Sequence, residues 1–502
     1  MFEALWMGLA PILQPKVMFL VCFGSLLGVF VGMIPGLGGV FLMAMSLPFT
    51  YGWDQMSAFA FYSALTGALP FGGSIPAILI NTPGTAESIA STFDGFPMSQ
   101  KGEGGKALGI SACGGALGSI FGMMLLVMLI PLARPIVLSF GPKEIFMLVL
   151  FGLVAVAYAA KGNMLRGLVA GGLGVIISMI GFTSVHGLRR FTFDSFYLWD
   201  GIPLVPWIIG LFAISEALMM WDRGEKSISS GATAGAITGV WEGVMEVFRH
   251  PKLFFTSSAL GVLIGIIPGV GAGKSCILAY VAAKQMSRHP EKFGTGFVEG
   301  VIAPESANDA THGGSLFTTV AFGIPGSSGM VILLAAFIMH GLVPGPPLLR
   351  NHLDLIFCLV WAYAISSVFG CMVGLACAKQ LARITSVPVS FIIPVVVVLC
   401  LTGSYVARRE IWDVLLALIA GGVGYGMKKF GYPIACFVLG YVLGIMAEDN
   451  FFLALSLADE NYATFVKGPI SLGLFLLLLY MIIHPIVKAI FKKEARTKMG
   501  GV

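Results

Sequence analysis

Apolar stretches of about 20 residues, the length that crosses a bilayer's hydrocarbon core, recur from one end of the chain to the other. They number roughly twelve, and several are interrupted by glycine and proline. The pattern predicts an all-α polytopic membrane protein with about 12 transmembrane helices, internal repeats and broken or re-entrant helices. The first run begins near Lys16 and continues past Met33. That is too long for the apolar core of a cleaved signal peptide, so it reads as a retained span. Ordinary spans are expected over 143–183, 200–221, 229–248, 386–405, 411–446 and 469–490. Charged connectors at Arg189-Arg190, Arg223 to Lys226 and Arg408-Arg409-Glu410 punctuate them.

The interruptions repeat. Gly28-Val29-Phe30-Val31-Gly32-Met33-Ile34-Pro35-Gly36-Leu37-Gly38 is echoed without a gap by Gly261-Val262-Leu263-Ile264-Gly265-Ile266-Ile267-Pro268-Gly269-Val270-Gly271. Gly72-Gly73-Ser74 followed by Pro83-Gly84-Thr85 is echoed by Gly313-Gly314-Ser315 followed by Pro325-Gly326-Ser327. The echoes keep their order and lie about 235–240 positions apart. They divide a single membrane transport domain, 1–502, into a first repeat at 17–135 and a second at 253–380. Interrupted apolar segments at matching positions of two halves are the pattern expected of secondary transporters.

Composition agrees. Of 502 residues, 57% are hydrophobic and only 11% charged, too few to cover the surface of a soluble protein. Mean hydropathy is +0.91. The net charge of +5 is spread along the loops, which for a membrane protein sets orientation and gives no sign of nucleic-acid binding. The densest basic cluster is Lys488, Lys492, Lys493, Arg496 and Lys498, so the C-terminal tail is expected on the cytoplasmic side. The eight cysteines form no C-x-x-C pair and no metal-ligand spacing, and read as small buried apolar residues.

The breaks carry the candidate chemistry. Proline inside a helix frees backbone groups, which in lipid are tolerated only where protein or an aqueous cavity satisfies them. In Asn81-Thr82-Pro83-Gly84-Thr85-Ala86-Glu87, Thr82 reads as a cap and Pro83 as the first residue of a new helix, leaving the amides of Gly84 and Thr85 free. Ile324-Pro325-Gly326-Ser327-Ser328 offers similar amides and two hydroxyls. Two such helix tips would cradle a carboxylate, while freed carbonyls could hold Na+; the expected coupling cation is Na+ or H+. The expected substrate-binding set is Gly36, Asn81, Thr82, Gly84, Thr85, Lys274, Asn308, Ser315, Gly326, Ser327 and Ser328, with no catalytic residue and no bound metal. Lys274 meets a substrate carboxylate, pairs with Glu305 or Asp309, or snorkels; in the last case Glu305, Asn308, Asp309 and His312 sit in a wet loop before the Gly313-Gly314-Ser315 turn. The opposite reading, that the Pro-Gly pairs are kinks or surface turns, stays open.

Two enzyme readings are weaker. Gly271-Ala272-Gly273-Lys274-Ser275 resembles the end of a nucleotide-binding loop, but Pro268 stands where its first glycine is needed. Gly326-Ser327-Ser328-Gly329 matches a short intramembrane serine protease motif, with His312 and His340 available as bases, yet the duplicated Gly84-Thr85 copy suits no nucleophile. A channel or uncoupled carrier for small organic anions is the alternative from another transport class.

Several runs resemble the large membrane subunit of tripartite tricarboxylate transporters. They are Gly32-Met-Ile-Pro-Gly-Leu-Gly-Gly39, Gly67-Ala-Leu-Pro-Phe-Gly-Gly-Ser-Ile75, Asn81-Thr-Pro-Gly-Thr85, Asp94-Gly-Phe-Pro-Met98, the stretch Lys101 to Leu108, Pro304-Glu-Ser-Ala-Asn308 and Gly323-Ile-Pro-Gly-Ser327. The resemblance covers essentially the whole chain. It implies an ion-driven secondary transporter of the bacterial inner membrane with a citrate-like di- or tricarboxylate as cargo. It also implies two partners, a small four-span membrane subunit and a periplasmic solute-binding protein. Asp309 stands where that pattern has a second Asn, His312 where it has a small residue, and Lys274 where it has an apolar or small one.

Overall fold

A computed structural model describes residues 2–160, 164–183, 187–223, 237–384 and 389–499. Lys226 and residues 229–236 of the expected 229–248 span lie outside them, as do 386–388. The tail cations Lys488 to Lys498 fall on a helix, Pro469–Met499, whose side chains beyond His484 are likewise not described. The chain is an all-α polytopic membrane protein. Eight described helices are long and apolar enough to cross a bilayer. Shorter apolar helices, among them Gly39–Thr50, Pro251–Ile266 and Ser328–Met339, account for much of the remaining apolar sequence.

Some expected spans are redrawn. The 143–183 stretch is two helices, Pro142–Ala159 and Met164–Ser178, and 411–446 runs across Ile411–Lys429 into Ile434–Ser456. The described part of 229–248 is a helix only over Val240–Arg249, about 15 Å at 1.5 Å per residue, too short to span. Its Glu242, Glu246 and Arg249 alternate with Trp241, Met245 and Phe248, as on a helix lying at an interface.

Two compact units form, Met1–Pro135 with Pro203–Phe430 and Ile136–Ile202 with Gly431–Val502. In the smaller unit Met164–Ser178 packs along Ile434–Ser456 through glycines: a Cβ on Gly440 would stand 3.1 Å from the Cα of Gly171, and one on Gly174 would stand 2.8 Å from the nitrogen of Tyr441. A two-stranded ribbon pairs Gly181 with Arg190 and Phe182 with Arg189, and Arg190 meets Glu448 at 2.7 Å.

The larger unit contains the breaks. Its first hairpin is Pro15–Gly32 and Gly39–Thr50, followed by a first central helix, Gln55–Ile80. A second hairpin, Pro251–Ile266 and Gly271–Met286, is followed by a second central helix, Glu299–Phe322. Each hairpin's leading arm lies in step along its central helix. Gly28 sits on the carbonyl of Leu65, and a Cβ on Gly32 would stand 2.5 Å from that of Leu69. In the second half Gly261 would meet the Ala307 carbonyl at 2.6 Å, and Gly265 lies on that of Thr311. Only residues without a Cβ allow such backbone approach.

The same need explains the Gly-Gly-Ser sequences. They are not turns: Gly72-Gly73-Ser74 and Gly313-Gly314-Ser315 lie inside the central helices, buried. Gly72 fits against Val29, Gly313 against Gly122 and Gly314 against Val262 and Gly265.

The two hairpins enter from opposite ends of the unit. Lys16 pairs with Asp54 at 2.8 Å, and Gln55 donates to the His340 carbonyl at 3.1 Å, which places the first hairpin's open end beside His340. Lys101 donates to the Thr295 carbonyl at 2.6 Å, and Lys106 pairs with Glu246 at 3.1 Å, which places the second hairpin's open end beside residues 101–106 and 240–250.

Candidate functional site

Each central helix ends on a left-handed residue, Asn81 at φ 55° and Gly323 at φ 70°. The chain then doubles back. The Gly84 amide donates to the Gly73 carbonyl at 3.1 Å, and a Cβ on Gly84 would crowd the carbonyl of Gly32. At the matching place a Cβ on Gly326 would stand 2.5 Å from the Cα of Ser315 and 2.7 Å from the carbonyl of Gly265. Both returning segments thus reach the depth of the hairpin turns. Extended residues then start the next turns: Thr85, at φ −125° and ψ 160°, precedes a short 3-10 turn, Ala86–Ile89, and Ser327, at φ −145° and ψ 168°, precedes the helix Ser328–Met339.

The expected cap therefore moves by three residues. Pro83 does not begin a helix, because Asn81 to Gly84 are spent on the reversal, and the Gly84 amide is paired. Thr82 is no cap: its hydroxyl donates to the Ile80 carbonyl at 3.2 Å. Thr85 holds the cap position, with its hydroxyl 3.0 Å from that of Ser88.

The halves interlock at these places. A Cβ on Gly273, in the first turn of the second hairpin's returning arm, would stand 3.1 Å from the Ala86 carbonyl and 3.9 Å from the Cα of Glu87. In mirror fashion a Cβ on Gly329 would lie 3.5 Å from the sulfur of Met43 in the first hairpin. Gly271, at φ 70°, faces Ser327 within its own half at 4.0 Å.

Behind the tips runs the second central helix, and every residue from Gly300 to Ala321 along it is buried. Glu305, Asn308, Asp309 and His312 lie within this helix, not in a wet loop. Glu305 accepts hydrogen bonds from Ser91 at 2.5 Å and Ser74 at 3.1 Å. Among the described residues, both amide atoms of Asn308, the hydroxyls of Ser306 and Tyr363, Nε2 of His312 and Oε2 of Glu87 are buried with no partner within hydrogen-bond distance. Buried polar atoms of this kind are uncommon in native proteins and set this helix apart from the apolar spans. His312 Nε2 and Glu87 Oε2 stand 3.6 Å apart, and the His312 ring lies 5.5 Å from that of Tyr363.

The geometry sorts the expected residues. Gly84, Thr85, Ser315, Gly326 and Ser327 gather at the two reversals, and Asn308 lies on the buried helix behind them. Lys274 follows Gly273 where the hairpin arm meets Glu87, and is partly exposed. Asn81 and Ser328 are exposed, and Thr82 is half-buried. Gly36, at φ 92°, sits in the first hairpin turn with Met220 as the neighbour a Cβ would meet at 3.8 Å.

Asp94, which the sequence reading quoted only within a motif, is fully buried. It accepts from the amides of Gly294 (2.9 Å), Gly296 (2.8 Å) and Phe297 (2.8 Å) and from the hydroxyl of Tyr280 (2.8 Å). Glu87, Ser74 and Ser91 were also missed. Their signal was a carboxylate and hydroxyls beside Pro-Gly breaks in an otherwise apolar chain.

A family model described as the tripartite tricarboxylate transporter TctA family matches residues 18–439. An uncharacterized 52.8 kDa protein in the TAR-I ttuC' 3' region of Agrobacterium vitis is 29% identical over 475 residues, 94% of each chain. An uncharacterized protein in the TAR-II ttuC' 3' region of the same organism is 28% identical over 234 residues, 47% of this chain and 97% of its own. No solved structure matches.

Proposed function

Because this chain belongs to the tripartite tricarboxylate transporter TctA family, we propose that it is the membrane-embedded carrier that imports a citrate-like di- or tricarboxylate across the bacterial inner membrane on an ion gradient. It would work with a small four-span membrane subunit and receive its solute from a periplasmic binding protein. The observation that supports this reading is the meeting of two hairpins, entered from opposite ends, beside a buried polar helix. Broken segments from two halves that converge at mid-depth are how secondary carriers build a site reachable from each side in turn.

The chemistry suits an anion. The helices Ser328–Met339 and Gly271–Met286 both begin at this level, and their first-turn amides bear the positive end of the helix dipole. Ser327 and Thr85 would orient carboxylate oxygens, Asn308 would add a donor and an acceptor, and Lys274 would supply a positive charge. Carbonyls at the reversals would take part in binding Na+ if that is the coupling ion.

Uptake of labelled citrate into proteoliposomes holding this chain and the small subunit, with the binding protein outside, tests the reading. Accumulation above equilibrium that requires an ion gradient supports a coupled carrier. Equilibration alone, whatever the gradient, would instead make it a channel or uncoupled carrier. The protease reading weakens, since His312 faces Glu87 and His340 lies edge-on to Phe59 at 5.4 Å.

A further inference from the structure

Resting on the transport reading, we propose that Glu87 and His312 form a proton-binding pair through which the carrier couples solute movement to a proton gradient. The two groups come from different halves. Glu87 lies on the Ala86–Ile89 turn after the first reversal, and His312 lies one turn beyond Asp309 on the second central helix. The facing atoms, Oε2 and Nε2, are buried 3.6 Å apart, and neither hydrogen-bonds to any other group among the described residues. One imidazole facing one carboxylate suits a shared proton, whereas a hard cation takes a cage of six or so oxygens.

The groups around the pair are themselves ionisable. Asp309 and Glu305 share the helix with His312, Cys276 reaches the cluster from the second hairpin, and Tyr363 and Cys371 reach it from Leu353–Ile384. Lys274 stands one residue beyond Gly273, which packs on the backbone of Glu87. A proton taken onto His312 Nε2 makes an imidazolium that the Glu87 carboxylate attracts, drawing the Ala86–Ile89 turn toward the central helix. Its release to the far side removes that attraction. Because the second hairpin's arm rests on the same turn, the protonation state is felt where the anion would sit.

The test uses the full chain with its small partner in proteoliposomes containing a trapped pH dye, comparing wild type with His312→Gln and Glu87→Gln. Citrate is the probe, supplied by the binding protein, under an acid-outside gradient and separately in counterflow without a gradient. Wild type should accumulate citrate and acidify the lumen. Both variants should lose gradient-driven accumulation at least tenfold while counterflow continues within about threefold. Gradient-driven accumulation in the variants at the wild-type level would overturn the proposal, as would loss of counterflow in both, which would assign the pair to solute binding or folding. Absence of counterflow in wild type would break the transport reading itself, and the pair's role with it.

Discussion

At the scale of single residues, the larger unit relies on a few buried polar groups whose partners come from far along the chain. Asp94 is the clearest, since four donors converge on one carboxylate and three of them are amides of the loop 293–297. A carboxylate satisfied this way is held more strongly than by neutral hydrogen bonds. Asp94→Ala would remove the one acceptor these four donors share; because the donors are partly exposed and water can reach them, the loss should be on the order of 2 kcal/mol. Asp94→Asn should recover part of it. Thermal unfolding in detergent checks this: an alanine variant that melts with the wild type would mean the nest contributes little. Nothing in the sequence marks Asp94 as buried, because its donors lie some 200 positions away.

At the scale of elements, glycine decides which segments touch. The Pro-Gly breaks were legible as breaks because proline stands there beside glycine; proline alone does not end a helix here, since Pro70, Pro76 and Pro304 lie inside the central helices. The neighbouring Gly313-Gly314-Ser315 sequence was read as a turn because a missing Cβ serves a turn and a close helix contact equally well. The second central helix was legible only as polar residues in an apolar chain. It faces protein along nearly its whole length and not lipid, so it is at once among the least apolar and the most buried of the helices. Two substitutions separate packing from mere glycine loss. Gly326→Ala drives a Cβ to 2.5 Å from the backbone of Ser315 and must shift the reversal, whereas Gly38→Ala, just before the helix Gly39–Thr50, meets nothing within 4 Å. Citrate uptake should fall at least tenfold in the first, with membrane insertion intact, and stay within about twofold of wild type in the second. Equal uptake by both would show that the Gly326 reversal adapts to a side chain and does not fix the site.

At the scale of the whole molecule, the opposed hairpins make a directional prediction. Among the described residues, the end of the larger unit near Lys16 also has Arg350 and the Arg408-Arg409 connector, while the other end has more cations, Lys101, Lys106, Arg249, Lys252, Lys284, Arg288 and Lys292. By the positive-inside rule the second end faces the cytoplasm. On that expectation the first hairpin would dip in from the periplasm and the second from the cytoplasm, an inverted pair that sequence could not assign because inversion depends on a span count blurred by the breaks. Tyr51, at the open end of the first hairpin, and Met286, at that of the second, are both about half exposed. In a chain whose native cysteines are replaced by alanine, Tyr51→Cys should react with a membrane-impermeant thiol reagent applied to intact spheroplasts, and Met286→Cys only in inside-out vesicles. Labelling of both from one side would place the two hairpins on the same face and remove the geometric basis for a site reached alternately from each side. Labelling from opposite sides would leave the reversals at Gly84 and Gly326 as the level where the two paths meet.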